Sequence, residues 1–164
     1  MLGVPAWTPC HNLELTRRAN YAPIAIRSPP ARVVTISLVG PASPVVARSV
    51  AAAQSRGVLI VAAVGNDGPA APPSYPASYP GVLAVTAVDG RNRTLIEAGR
   101  ALHLDSAAPG ADMLARDARG RWVKVRGTSY AVPLVAARAA RAWGEPGGSL
   151  AGTIDFRRPD AHFC

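Results

Sequence analysis

The apolar positions of this chain come in short, nearly unbroken runs separated by one amphipathic stretch and by proline- and glycine-rich punctuation. VVTISLV (33–39) is a β-branched run closed by Gly40-Pro41, and it predicts a buried strand. SPVVARSVAAAQSRG (43–57) has helical period: Val46, Val50 and Ala53 share one face, Ser43 stands at the cap, Pro44 suits the first turn and Gly57 closes the end. VLIVAAV (58–64) and VLAVTAV (82–88) read as two further buried strands, a region near 121–125 as another, and 128–142 as a second helix. Apolar strands alternating with a helix are the pattern of a mostly parallel sheet covered on both faces, so the fold class is α/β with three layers.

The flanks differ. Residues 1–32 are interrupted by Pro5, Pro9, Pro23, Pro29 and Pro30, and 144–164 (GEPGGSLAGTIDFRRPDAHFC) return to glycine, proline and charge. The patterned block 33–142 is therefore expected to carry the fold. No internal repeat interrupts it. At 164 residues with 49% hydrophobic content the chain is one domain with enough apolar material for a core.

The charge is +8 and almost wholly arginine, Lys124 being the one lysine. The arginines are scattered and no aromatic residues interleave with them, which argues against a nucleic-acid partner. Every apolar run is broken within a dozen residues, so no membrane span is expected. The opening MLGVPAWTPCHNLELTRR lacks a basic stretch before an apolar one and does not match a secretory signal. Cys10 and Cys164 have no metal-ligand spacing, and the redox compartment stays open.

Candidate chemistry lies where open α/β sheets usually hold it, beyond the carboxyl ends of the strands. VAAVGNDGP (61–69) ends a strand in Gly65, after which the Asn66 amide can project and donate to a developing oxyanion. GTSYAVP (127–133) puts Ser129 in the first turn of a helix, where free N–H groups favour negative charge. Each has a plain alternative: Asn-Asp-Gly makes a good turn, and Ser or Thr commonly caps a helix, here Thr128.

Taken together, five ordered segments resemble the C-terminal half of the subtilisin-like serine proteases, the subtilases. They are VVTISLVGP, VLIVAAVGNDGP, SYPASYPGVLAVTAVD, LDSAAPGADMLA and GTSYAVPLVAA, running from Val33 to about Ala140. The resemblance implies Ser129 as nucleophile and the Asn66 side chain as oxyanion donor beside the Ser129 backbone N–H. It implies that Ser37, Leu38, Val39 and Gly40 form an extended edge pairing with a polypeptide substrate. Ala63, Val64 and Gly65 would wall the pocket for the residue before the cleaved bond. Tyr75-Pro76 is expected to be cis. No cofactor and no metal site is implied; no loop offers a carboxylate cluster for calcium. Relatives are often secreted, but the compartment of this chain is left open, and Asn92-Arg93-Thr94 reads as a chance glycosylation sequon.

Departures also count. Val39 stands where the family usually has glycine, which implies a narrower pocket. Tyr130, Val132, Leu134 and Ala137 are apolar replacements compatible with the helix. The family's D-[ST]-G and H-G-T motifs occur nowhere in the sequence. Asp105-Ser106-Ala107 belongs to the downstream segment, His103 and His162 follow Asn66, and His11 precedes the first strand without a helix signature. The chain is thus expected to be a partial catalytic domain with its N-terminal strands missing, exposing a sheet edge and inactive alone. The missing Asp and His would come from absent sequence or another chain. A reading-frame break upstream would explain the abrupt flanks. The alternatives are a non-catalytic peptide-binding module and a non-functional fragment.

Overall fold

The computed structural model describes residues 31–144. Four strands form one parallel sheet in the order β1-β2-β3-β4: β1 Val33–Ile36, β2 Leu59–Ala63, β3 Leu83–Val88 and β4 Ser106–Pro109. Helix α1 (Pro44–Gln54) joins β1 to β2, and helix α2 (Thr128–Gly144) ends the described chain. Between β4 and α2 lies an antiparallel hairpin, β5 (Met113–Arg116) with β6 (Trp122–Val125).

The two faces of the sheet follow the period-2 alternation of strand side chains. Val61, Ala63, Val85 and Ala87 pack with Val132, Val135 and Ala136 of α2. Ile60, Ala62, Val64 and Ala84 pack with Val50 of α1 and with Ala77 and Tyr79. The central strands β2 and β3 are thus buried on both sides, which is why their sequences show no alternation of apolar and polar. Fully burying each valine contributes about 1.5–3 kcal/mol relative to leaving it exposed.

The expected elements are present, the strands and α1 with shorter bounds and α2 running on to Gly144. β1 stops at Ile36, and Ser37–Gly40 leave the sheet as an exposed segment tied to Tyr75 by Gly40 N–H to Tyr75 O (2.9 Å) and Tyr75 N–H to Gly40 O (3.0 Å). Ser43 is the N-cap of α1 but its side chain makes no capping bond; instead its backbone N–H and C=O both bond the Tyr79 hydroxyl at 2.8 Å. α1 ends at Gln54, and Gly57 follows at φ +74, donating to Gln54 O. The Tyr75-Pro76 bond is cis. The open edge expected at the start of the sheet is also seen: among the described residues, β1 pairs with β2 alone.

Two strands carry no sequence signal of their own. β4 (SAAP) and β5 (MLAR) are short and lack β-branched residues, the usual mark of a strand. β4 is small because α2 presses on it. A Cβ on Gly110, just past β4, would lie 2.5 Å from Ala87 Cβ and 2.7 Å from Gly127 O. The strand at 121–125 belongs to the hairpin, not to the parallel sheet.

Two turns are pinned by acid–arginine pairs four residues apart. The Arg93 guanidinium donates to Asp89 (Nε to Oδ2, 2.8 Å), as do the Arg91 and Arg93 backbone N–H groups. Asp117 repeats this arrangement with Arg119 and Arg121 in the hairpin turn.

The tight packing at Gly110 can be tested by substitution. Gly110→Ala should destabilise the fold by about 1–3 kcal/mol through overpacking. Gly40→Ala, where a Cβ meets nothing within 4 Å, should change stability by less than about 0.5 kcal/mol in denaturant titrations. The turn at Asp89 makes a separate prediction, because the Arg93 side chain and backbone bonds lower its carboxyl from 3.8 to about 2. A depressed acid stabilises the fold above its unfolded value and loses that contribution as pH falls through the folded one. A carboxyl-carbon NMR titration should therefore place the Asp89 midpoint near 2, with Asp117 also below 3.8.

Candidate active site

Parallel strands bring the ends of β2, β3 and β4 to one rim of the sheet, and the start of α2 meets them there. β2 is followed by Val64, whose N–H continues the ladder to Val85 O (3.1 Å), and then by Gly65 at φ +88. That positive φ turns the chain out of the sheet, a conformation glycine adopts without strain. Asn66 follows, exposed at the rim.

The Asn66 amide is fixed from the helix side. Thr128 N–H donates to Asn66 Oδ1 at 2.9 Å, and the Thr128 hydroxyl lies 3.2 Å from both Asn66 Oδ1 and Gly65 O. Thr128 is fully buried. Its donors use the oxygen end of the amide, which assigns Oδ1 and Nδ2 and leaves the Nδ2 donors out of the anchoring network. The approach requires Gly127: its φ is +135, and a Cβ there would come within 3.3 Å of Asn66 Nδ2. Thr128 thus acts as a tie between helix and strand, not as the cap its sequence position suggests.

Ser129 is the next residue, half-buried in the first turn of α2. Pro133 lies four residues on and has no N–H, so the Ser129 carbonyl lacks its helical partner. The Ser37 hydroxyl donates to it at 3.3 Å. One bond thereby links the helix start to the exposed segment Ser37–Gly40. Leu38 is 70% exposed and Val39 41%, and Val39 packs against Gly65. Ala63, Val64 and Gly65 are buried at the facing strand end.

A third segment braces the rim. Gly99 N–H donates to Gly65 O (2.8 Å) and Gly68 N–H to Glu97 O (2.9 Å), so residues 97–99 hold the loop on both sides of Asn66. A Cβ on Gly99 would collide with the Val64 carbonyl oxygen. The Glu97 carboxylate forms a two-pronged pair with Arg126 (2.6 and 2.9 Å), next to Gly127. The Arg126 guanidinium pulls the Glu97 carboxyl below its ordinary value. Glu97 and Arg126 are 29 residues apart and no sequence pattern joins them. Pro133, in contrast, is visible in the sequence four residues after Ser129.

The structure brings Gly65 and Asn66 to Thr128, Ser37 to the Ser129 carbonyl and Val39 to Gly65. It does not bring a histidine to them. His103 Nε2 lies 2.9 Å from Val82 O and 3.4 Å from Asp105 Oδ2, at the entry to β3 and β4, the opposite rim of the sheet. Asp105 is engaged there too, accepting from Ala84 N–H at 2.8 Å. His11, His162, Cys10 and Cys164 lie outside the described residues. Among the described residues, no group of three or more His, Cys, Asp or Glu side chains is arranged to hold a metal ion, and no helix is long and apolar enough to cross a membrane.

Known proteins show the family to which this fold belongs. The subtilase family model matches residues 12–149, extending on both sides of the 33–142 block. Subtilisin BL and subtilisin Savinase of Lederbergia lenta are each 39% identical over 109 residues, 66% of this chain and 40% of theirs. The alkaline protease of Alkalihalobacillus alcalophilus is also 39% identical over 109 residues, which are 28% of its length. The chain therefore spans less than half the length of these relatives. Among solved structures, the prenylagaramide maturation protease PagA superposes with a TM-score of 0.63 at 31% identity, covering 68% of this chain and 43% of that one. The protease domain of PatA gives the same values. A parallel sheet whose Gly-Asn strand end is tied to a Gly-Thr-Ser helix start, together with these matches, makes this chain a member of the subtilase family of serine proteases.

Proposed function

We propose that this chain is the part of a serine endopeptidase that carries the nucleophile and the oxyanion hole. Ser129 Oγ attacks the peptide carbonyl and forms an acyl-enzyme, expelling the amine, and water then hydrolyses the ester. The negative charge on the carbonyl oxygen is met by Asn66 Nδ2 and the Ser129 backbone N–H. Ser37–Gly40 hold the substrate backbone as an added strand, and Ala63, Val64 and Gly65 wall the pocket. The observation carrying this reading is the Thr128–Asn66 contact (2.9 Å), which fixes an amide donor one residue from the serine.

A serine hydroxyl is a poor nucleophile at neutral pH without an adjacent base. The family's Asp and His motifs are absent from these 164 residues, and His103 faces the far rim. In this reading the base comes from outside the described residues. The unpaired edge of β1 runs straight into Ser37, whose hydroxyl touches the Ser129 carbonyl, so a segment or second chain pairing there would arrive beside the nucleophile. Alone, the chain is expected to bind peptide and turn it over only at a residual rate. The same absence supports the second reading, a peptide-binding module that does not cleave.

Fluorophosphonate labelling with peptide mapping separates the readings. Modification at Ser129 that disappears in Ser129→Ala supports the peptidase. It should be slower by about 100- to 1,000-fold in Asn66→Ala, the loss known for such a donor in this family. Thr128→Val, which keeps the N–H tie but removes the hydroxyl, should slow it by about tenfold or less. Saturable peptide binding without even residual labelling favours the non-catalytic module. A chain that does neither removes both readings.

A further inference from the structure

We propose that Val39 sets the specificity of this cleft, restricting the substrate residue before the cleaved bond to glycine or alanine. The inference rests on the peptide-cleaving reading above and gives it a substrate class. The slot in question lies between the exposed segment Ser37–Gly40 and the end of β2 at Ala63–Gly65. The Val39 side chain lies in it: a Cβ built on Gly65 would stand 3.3 Å from Val39 Cγ1, 3.4 Å from Cγ2 and 3.7 Å from Cβ. The isopropyl group therefore occupies the space beside Gly65 into which a side chain there would project. With 41% of the residue exposed, the rest of Val39 stands at the mouth, where an incoming chain would meet it.

Both walls are tied in place by hydrogen bonds. Gly40 is bonded twice to Tyr75, and Ser37 is bonded to the Ser129 carbonyl. Opposite, Val64 O accepts from the Ser74 hydroxyl (2.8 Å), and Gly65 O accepts from Gly99 N–H (2.8 Å) and the Thr128 hydroxyl (3.2 Å). Val39 itself is β-branched, with one dominant side-chain conformation for a given backbone, so it does not swing aside as a leucine or methionine would. A slot between two backbone walls accepts a large side chain; with an isopropyl group fixed in it, only hydrogen or a methyl group fits beside the reacting carbonyl.

The test needs no catalytic base. The full chain, labelled with nitrogen-15, is titrated by NMR with acetyl-Ala-Ala-Ala and acetyl-Ala-Ala-Phe carboxylates, which resemble acyl-side products. The alanine peptide should shift the amides of residues 38–40 and 64–66 with a Kd at least about tenfold lower than the phenylalanine peptide. In Val39→Gly, the phenylalanine peptide should gain about tenfold or more, and Val39→Ala should lie between, serving in its place should the glycine variant unfold. Equal or tighter binding of the phenylalanine peptide to the wild type, or an unchanged ratio in both variants, overturns the role of Val39 and leaves the peptide reading standing. A chain without a dispersed amide spectrum, or one in which neither peptide moves those amides in wild type or variants, overturns the peptide reading and this inference with it.

Discussion

The bond from Thr128 N–H to Asn66 Oδ1 is the junction on which this architecture turns. It joins the end of a central strand to the beginning of a helix 62 residues further along the chain. A neutral hydrogen bond contributes only about 0.5–1.5 kcal/mol net, so it cannot hold the two elements together by itself. They are held by what surrounds it. Ala131, Val132, Val135 and Ala139 are buried, and their small volumes let α2 lie close beneath the strands. Gly110 and Gly127 then let backbone meet backbone at the rim. The hydrogen bond fixes the orientation of an amide that packing has already brought near. Orientation is what the proposed role of Asn66 needs, since a fixed donor costs no reorganisation when charge develops.

A second contact at the helix start also turns a local weakness to use. A proline inside a helix normally costs about 3 kcal/mol or more, because it removes a bond and crowds the carbonyl four residues back. Here that carbonyl belongs to Ser129, in the first turn of the helix, and Ser37 uses it. The defect in the helix is thus also the tie between the serine and the segment Ser37–Gly40. Asn66, Ser129 and the exposed edge form one connected unit: Gly65 and Asn66 bonded to Thr128, Ser129 to Ser37, and Gly40 to Tyr75.

Much of this is legible in the residues alone. The apolar runs at 33, 58 and 82 mark strands because a parallel sheet is covered on both faces, and the spacing of Val46, Val50 and Ala53 defines the buried face of α1. Asn66 and Ser129 can be singled out because VGNDGP and GTSYAVP stand in order with three further segments that resemble the subtilases, while each motif alone reads equally as a turn or a cap. What stays hidden depends on distant partners. β4 carries alanine and serine because a helix presses on it, and small residues give no strand signal on their own. Gly99 is a glycine because the Val64 carbonyl occupies the place of its side chain, and Arg126 meets Glu97 only after folding. Local rules make caps of Ser43 and Thr128, yet each is used in a contact with a residue far along the chain, Tyr79 in one case and Asn66 in the other.

Under the proposed function, the place where Ser129 wants a base and the exposed edge of the sheet coincide. Along its free edge β1 carries backbone groups with no strand partner among the described residues, and Thr35 on it is exposed. An unpaired edge invites another strand, and this one leads directly to Ser37 and, through its hydroxyl, to Ser129. His103 lies at the opposite rim, 2.9 Å from Val82 O, away from Ser129. One completing segment would therefore meet two needs at once, satisfying the edge and bringing a proton acceptor to the serine. On the proposed reading, stability and reactivity are coupled through β1, because a segment covering that edge also arrives beside Ser129, while the Asn66 amide is held on the other side by Thr128.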